Sequence, residues 1–389
     1  MNGQCKEFVE YVLSQSPQHN KALVEEAVQK RFNMIKDRKV YRCESFSVRF
    51  SYSKSGSTSF SNTVLSLSAL EKYDRIPFFV VLVRKEADNL VLLANTTFLK
   101  KISHSSQELS MTNIKGSFNG SDIMRTYDGL ANAPENFDYL FAIHQGLDWE
   151  DNLLRLVDAT SHIVPASIRY DPTTDDRSRI LASVERSALF VQTEHFDTLK
   201  ADLDGRCEKC KKEIAVASHI ENVNIRGRLI EYLITADDEE RRRIVQNLSD
   251  MELALPTYDT KNGLGDYCRS FGETDTVTDI KTKVVYLNSN PKAYNIDKFL
   301  RQMADGKCVF LFYFVGVDKN GVFRTLLCSV FHDKLIDNTL LQHHWAGRSS
   351  RGVAQFNGAA VDEMLRMAAF QNHIVADKGI AFLTKLLER

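Results

Sequence analysis

An α/β fold in two domains is what the sequence predicts, and three observations carry it. Cys308 to Val317 is a continuous apolar run between Gly306 and Asp318; a strand apolar on both faces belongs in a sheet sandwiched between helices. Amphipathic segments of helical period alternate with segments of period two along the whole chain. Pro165 and the polar stretch Tyr170-Asp-Pro-Thr-Thr-Asp-Asp-Arg177 carry no period and read as a linker. At 389 residues the chain is too long for one small core. The expected domains are therefore 1–165, a mixed α/β domain, and 166–389.

The elements follow in order. Residues 3 to 35 read as helical, with Phe8, Val12, Leu23, Ala27 and Phe32 at recurring apolar positions. From Glu44 the period drops to two, with Phe46, Val48 and Phe50 alternating with Ser45, Ser47 and Arg49. Ser51 to Ser61 is a Ser/Gly/Lys-rich turn, strands follow at Ile76 to Arg84 and Leu90 to Asn95, and a helix and loop at Ala133 to Arg155. Beyond the linker, Ser178 to Asp202 reads as one long amphipathic helix and Ile225 to Thr235 as another. Asp237 to Arg243 is a solvated helix face. Tyr267 to Phe271 and Thr276 to Tyr286 form a hairpin with its turn at Gly272 to Asp275. Ile296 to Ala304 is a short helix, and Val322 to Phe331 pairs with the apolar run across Asp318-Lys-Asn-Gly321. One or two helices close the chain over 361–388.

Composition narrows the function. Fifty Lys and Arg nearly balance 51 Asp and Glu, so no global field draws the chain to nucleic acid or membrane, and a nucleic-acid role requires local basic patches. No apolar run is long enough to span a bilayer. Seven unpatterned cysteines suit a reducing cytoplasm.

The stretch that carries chemistry is Thr276-Val-Thr-Asp-Ile-Lys-Thr-Lys-Val-Val285. Val277, Asp279, Lys281 and Lys283 share one strand face. A carboxylate and two ammonium groups on a strand otherwise built for burial are costly. A catalytic divalent cation justifies them: the carboxylate holds the ion and Lys281 sits beside the water it activates. Asp266, opening the first hairpin strand, is placed to share that ion with Asp279; Glu231, on the Ile225 to Thr235 helix, supplies a further carboxylate. Asp275 is the rival for the role of Asp266.

An acidic residue on one strand followed by Asp/Glu-x-Lys on the next resembles the signature of PD-(D/E)XK nucleases, and Asp279-Ile-Lys-Thr is most similar to its type II restriction endonuclease form. Gln342-His-His-Trp-Ala-Gly-Arg-Ser-Ser-Arg-Gly-Val-Ala-Gln355-Phe also resembles restriction-enzyme sequence. The resemblance covers 220–356. It implies a nuclease core of mixed sheet flanked by helices. Asp266, Asp279 and Glu231 would be its metal ligands, Lys281 the residue at the attacking water, and Mg²⁺ the cofactor. It further implies cleavage of double-stranded DNA to 5′-phosphates. A twofold homodimer is the simplest way to cut a symmetric site. One departure is that Gly265, not proline, precedes the first acid.

DNA contacts are expected from Arg348, Ser349, Arg351 and Gln355 in the loop after the central strands, with Arg348 as base reader. In the first domain Lys100 and Lys101, with His104 and Lys115, suit phosphate contacts. Cys207-Glu-Lys-Cys210 with His219 resembles half a zinc site, and Ala217-Ser-His-Ile has a faint HNH-nuclease likeness, but no second ligand pair follows. Two alternatives stand beside the restriction-enzyme expectation: a structure-specific or repair nuclease of the same fold, and a non-catalytic DNA-binding or regulatory protein.

Overall fold

In the computed structural model the described residues are 1–53, 58, 63–105, 116–164, 169–247, 264–287, 289–344 and 350–388. The protein is mixed α/β and folds as two units. The first holds Met1–Ser167 with Gln342–Arg348, and the second Ile168–Leu341 with Ser349–Arg389. Among the described residues no helix is long and apolar enough to cross a membrane.

The first unit opens with helices α1 (Gly3–Ser14) and α2 (Lys21–Arg31), each capped by an asparagine, Asn2 and Asn20. The strands β1 (Ile35–Asp37), β2 (Val40–Arg42), β3 (Ser47–Ser53), β4 (Thr63–Ser66), β5 (Phe78–Arg84) and β6 (Leu90–Leu93) follow. Five of them form a sheet in the order β1-β2-β3-β5-β6, with β3 and β5 parallel. The run Phe78-Phe-Val-Val-Leu-Val83 is buried on both faces, as its unbroken apolar sequence requires. Phe79, Val81 and Val83 pack with Phe8, Val24, Val28 and Phe46. Phe78, Val80 and Leu82 face Leu67, Leu70, Phe118 and Leu156 on the other side. In α2 the inward positions are Val24 and Val28, while Leu23, expected inside, is 50% exposed. The helix starts only at Lys21, after a 3₁₀ turn over Ser16–Gln18, so a single helical period read from residue 3 loses register.

The short strands β7 (His104–Ser105) and β8 (Gly116–Asn119) pair antiparallel, and β9 (Thr126–Tyr127) with β10 (Leu130–Ala131) form a separate two-stranded ribbon. Helices α3 (Phe137–Gln145) and α4 (Trp149–Ser161) close this unit.

In the second unit the expected long helix is two, α5 (Thr174–Phe190) and α6 (Glu194–Lys209). A Thr173/Asp176 capping box starts α5 inside the stretch read as linker, so Thr174 to Arg177 is helical. Then come α7 (Lys211–Ala217), α8 (Val223–Thr235), α9 (Asp238–Gln246) and the strands β11 (Tyr267–Phe271) and β12 (Thr274–Val284). After them lie β13 (Lys292–Asn295), α10 (Ile296–Met303), β14 (Cys308–Asp318) and β15 (Gly321–Ser329). Four strands make a mixed sheet, β11-β12-β14-β15, with β12 and β14 parallel. In β14, Phe310, Phe312 and Phe314 pack on one core with Phe299, Phe356 and Leu383. Val309, Leu311, Tyr313 and Val315 pack on the other with Leu203, Leu229 and Leu233. Helices on both faces thus bury this strand completely, the arrangement its composition dictates.

Candidate active site

The hairpin positions three of the four chemical groups. Gly272, at φ +67°, makes the turn that joins β11 to β12. Register runs from Phe271↔Thr274 to Tyr267↔Thr278, so β11 begins opposite Thr278 while β12 continues to Val284. Asp266 stands just before β11 and stays bound to its neighbour. Its N–H donates to the Thr278 carbonyl at 2.8 Å, and its carboxylate Oδ2 accepts from the Ile280 N–H at 2.8 Å. The side chain thereby takes the place of the next ladder rung. Gly265, at φ +92°, makes this entry possible, because a Cβ there would lie 2.2 Å from Val277 Cγ1. The glycine before Asp266 is thus a geometric requirement.

Asp279 and Lys281 lie on β12 opposite Phe312 and Phe314 of the buried β14. Asp279 is only 5% exposed. Lys281 Nζ donates to Asp279 Oδ1 at 2.5 Å, and its side chain retains 22% exposure, so it forms the solvent side of the group. Glu231 comes from α8, whose N-cap Asn222 accepts from Asn224 and Ile225 N–H and whose Leu229, Ile230, Leu233 and Ile234 face the core. Glu231 acts on Asp266 and Asp266 on Asp279 at close range, so three carboxyls adjoin one another beside one ammonium.

Burial dominates their protonation. It pushes the Asp279 carboxyl up to about 8, against the pull of Lys281. Burial and the neighbouring charge of Glu231 push Asp266 up to about 6. Burial also raises Glu231. Burial alone would lower the Lys281 ammonium, but the charges of Asp279 and Asp266 more than offset it and hold it above its ordinary value.

Among the described residues no three His, Cys, Asp or Glu side chains are gathered as a ligand set. Asp279 Oδ1 is turned to Lys281, and Asp266 Oδ2 to a backbone N–H. The donors nonetheless match a hard divalent cation, since they are carboxylate oxygens only. Asp275, the rival acid, is at the far end of β12, where its Oδ1 accepts from Ser270 Oγ at 2.5 Å. Asp266, not Asp275, meets Asp279.

The residues expected to contact DNA are distributed differently. Arg348 and Ser349 lie outside the described residues, as does Lys115. Arg351 is a correction. It is 8% exposed, its guanidinium pairs with Asp297 Oδ1 and donates to the Tyr170 carbonyl at 2.7 Å, and its N–H donates to Asp297 Oδ2 at 2.5 Å. A guanidinium so held inside a unit is unavailable to a base edge. Gln355 lies on β17 (Gly352–Phe356, with β16 at Thr339–His344), between the buried Ala354 and Phe356 and half-exposed opposite Lys292. Lys100 is exposed, and Lys101 lies 3.6 Å from Asp122 Oδ1.

Cys207 and Cys210 are buried at the α6–α7 junction, where Cys210 Sγ donates to the Arg206 carbonyl, while His219 is exposed. Burial pushes the two thiols up to about 12 and about 11. No protein-family model, curated protein or solved structure matches the chain.

Proposed function

We propose that the protein is a Mg²⁺-dependent endodeoxyribonuclease of PD-(D/E)XK type that hydrolyses double-stranded DNA. In finer detail it is a cytoplasmic type II restriction endonuclease acting as a homodimer. The observation that carries this reading is the convergence of Glu231, Asp266, Asp279 and Lys281 at the open end of the hairpin. Asp266 and Asp279 would hold the cation, with Glu231 as a further ligand or as partner to its water. Held by these carboxylates, a divalent cation would supply Lewis-acid chemistry toward the phosphate and the attacking water. Lys281, held protonated by two carboxylates and partly open to solvent, sets a positive charge where the phosphate gains negative charge. The seven cysteines are all free thiols, which suits a reducing compartment.

Digestion of a sequenced plasmid with and without Mg²⁺, followed by end mapping, tests the reading. Discrete fragments with one shared sequence at every end support it; absence of Mg²⁺-dependent cleavage refutes it. One second reading is a nuclease of this type that recognises DNA structure, since Arg351, one of the residues expected to contact DNA, is buried against Asp297. A smear, or cutting confined to junctions and flaps, would select that reading.

A further inference from the structure

The β1–β2 hairpin of the first unit concentrates more positive charge than the two carboxylates that act on it, Asp37 and Glu25, can offset. Within the eight residues Ile35-Lys-Asp-Arg-Lys-Val-Tyr-Arg42 lie four cations, Lys36, Arg38, Lys39 and Arg42, and all four are exposed. Asp37, the one acid among them, is engaged inward, accepting from Tyr73 Oη at 2.6 Å. Arg38, Arg42 and the exposed Lys72 all act electrostatically on Asp37, so a fifth cation joins the group. None of the five forms an ion pair among the described residues, whereas Lys6, Lys21, Lys30 and Arg31 of the same unit each have a carboxylate partner. The chain as a whole carries a formal charge of −1, so this surface stands out against a neutral background.

The hairpin is also held rigid. Arg49 Nη1 donates to the Lys39 carbonyl at 3.2 Å, and Lys36 lies over the Tyr41 ring at 5.2 Å. Arg38 adopts φ +57° at the turn, a conformation that favours glycine, yet the position carries a guanidinium. The hairpin is the free edge of its sheet, since β1 ends the strand order. One or two lysines suffice to keep such an edge from aggregating; five unpaired cations on a rigid projection complement a regular array of negative charge.

We propose that this hairpin, with Lys72, is a docking surface for the phosphate backbone of duplex DNA. It gives sequence-independent affinity and adds a second point of attachment to the nuclease function proposed above, on which it rests. Lysine and arginine side chains without base-edge geometry position DNA and do not read it.

The test is equilibrium binding of the full-length protein to two unrelated duplexes in Ca²⁺, at several salt concentrations, with Mg²⁺-dependent cleavage measured separately. The variant Lys36→Ala/Arg38→Ala/Lys39→Ala/Arg42→Ala should bind both duplexes at least tenfold more weakly. Its log–log salt slope should fall by about 2–4, at about 0.9 for each phosphate that is no longer neutralised. Lys39→Glu alone, a substitution at the exposed turn, should weaken both duplexes at least threefold and guards against misfolding of the quadruple variant. Lys36→Arg/Lys39→Arg should bind as the wild type does. Unchanged affinity and slope in the alanine variant overturn the proposal, and if wild-type cleavage persists they leave the nuclease reading standing. A wild type that binds no duplex overturns the proposal as well. So does a variant that loses binding to anionic vesicles while keeping DNA.

Discussion

Replacing Asp279 by asparagine should stabilise the metal-free protein, and do so only above mildly acidic pH. The buried Asp279 carboxyl keeps its proton up to about 8, whereas an unfolded aspartate gives it up near 4 (~3.9). Folding therefore takes up a proton between those values. The stability this contributes is complete below about pH 4 and is lost as pH rises toward 8. Each pH unit of that interval is worth about 1.4 kcal/mol for one proton. Lys281 and Asp266 titrate with Asp279 as a group, so about half the interval is assigned to this residue, or about 2–3 kcal/mol. Asparagine keeps the neutral form at every pH, and Asp266 remains as a partner for Lys281. For a unit of this size the gain corresponds to about 5–10 °C in thermal midpoint. Calorimetry in EDTA should show that gap at pH 8.5, most of it gone at pH 5 and its closure at pH 4. Magnesium at about 100 times its Kd should restore about 2.7 kcal/mol to the wild type and little to the variant. A variant no more stable than wild type at pH 8.5, or an equal magnesium shift in both, would refute the reasoning.

Further outcomes follow from the same geometry. Asp266→Asn and Lys281→Ala should abolish Mg²⁺-dependent cleavage while duplex binding in Ca²⁺ persists, and Asp275→Asn should keep most activity; the reverse order for the two aspartates in a plasmid assay would move the site. Gly265→Ala should cost about 1–3 kcal/mol through its positive φ and reduce cleavage about 100-fold through displacement of Asp266, read by denaturant unfolding and initial rates. Arg351→Ala should destabilise the second unit by about 3–5 kcal/mol, because Asp297 is left buried without its partner. A double-mutant cycle with Asp297→Asn should recover most of that loss, and full additivity would deny the pair its structural role.

The legible parts of the chain are those whose period is set by burial on defined faces. The run Cys308 to Val317 has to be a central strand because every residue is apolar, and both cores close on it. The hairpin is legible from the glycine at 272 and the alternation after it. Asp279 and Lys281 stand out because charge on such a strand needs a reason. The α1–α2 region defeats a single-period reading because a 3₁₀ turn resets the helical phase. The break between α5 and α6 at 191–193 contains neither glycine nor proline, so nothing in composition marks it. Arg351 misleads for a different reason. A loop rich in Arg, Ser and Gly reads as exposed, but its partner, Asp297, is 54 residues away and belongs to another element. Long-range ion pairs leave no local trace.

The way Asp266 is held also bears on how firmly chemistry and fold are joined here. A carboxylate placed on a loop would be free to leave when its neighbours ionise. Here Asp266 supplies the rung that β11 lacks, bonding through its backbone to Thr278 and through its side chain to Ile280. Its side chain cannot swing away from Asp279 without breaking its bond to the Ile280 N–H, and the Thr278 bond holds its backbone in place. The repulsion that grows as the carboxyls lose protons is therefore confined, and an ion or Lys281 must answer it. Lys281 answers only one acid directly, at 2.5 Å from Asp279. A fold selected for stability alone would relieve such a cluster with an amide or an apolar side chain, often at a gain of about 1–4 kcal/mol. A cluster held in this way, backed by the phenylalanines of β14, would suit the cation site proposed above, whose ligands would be fixed before the ion arrives.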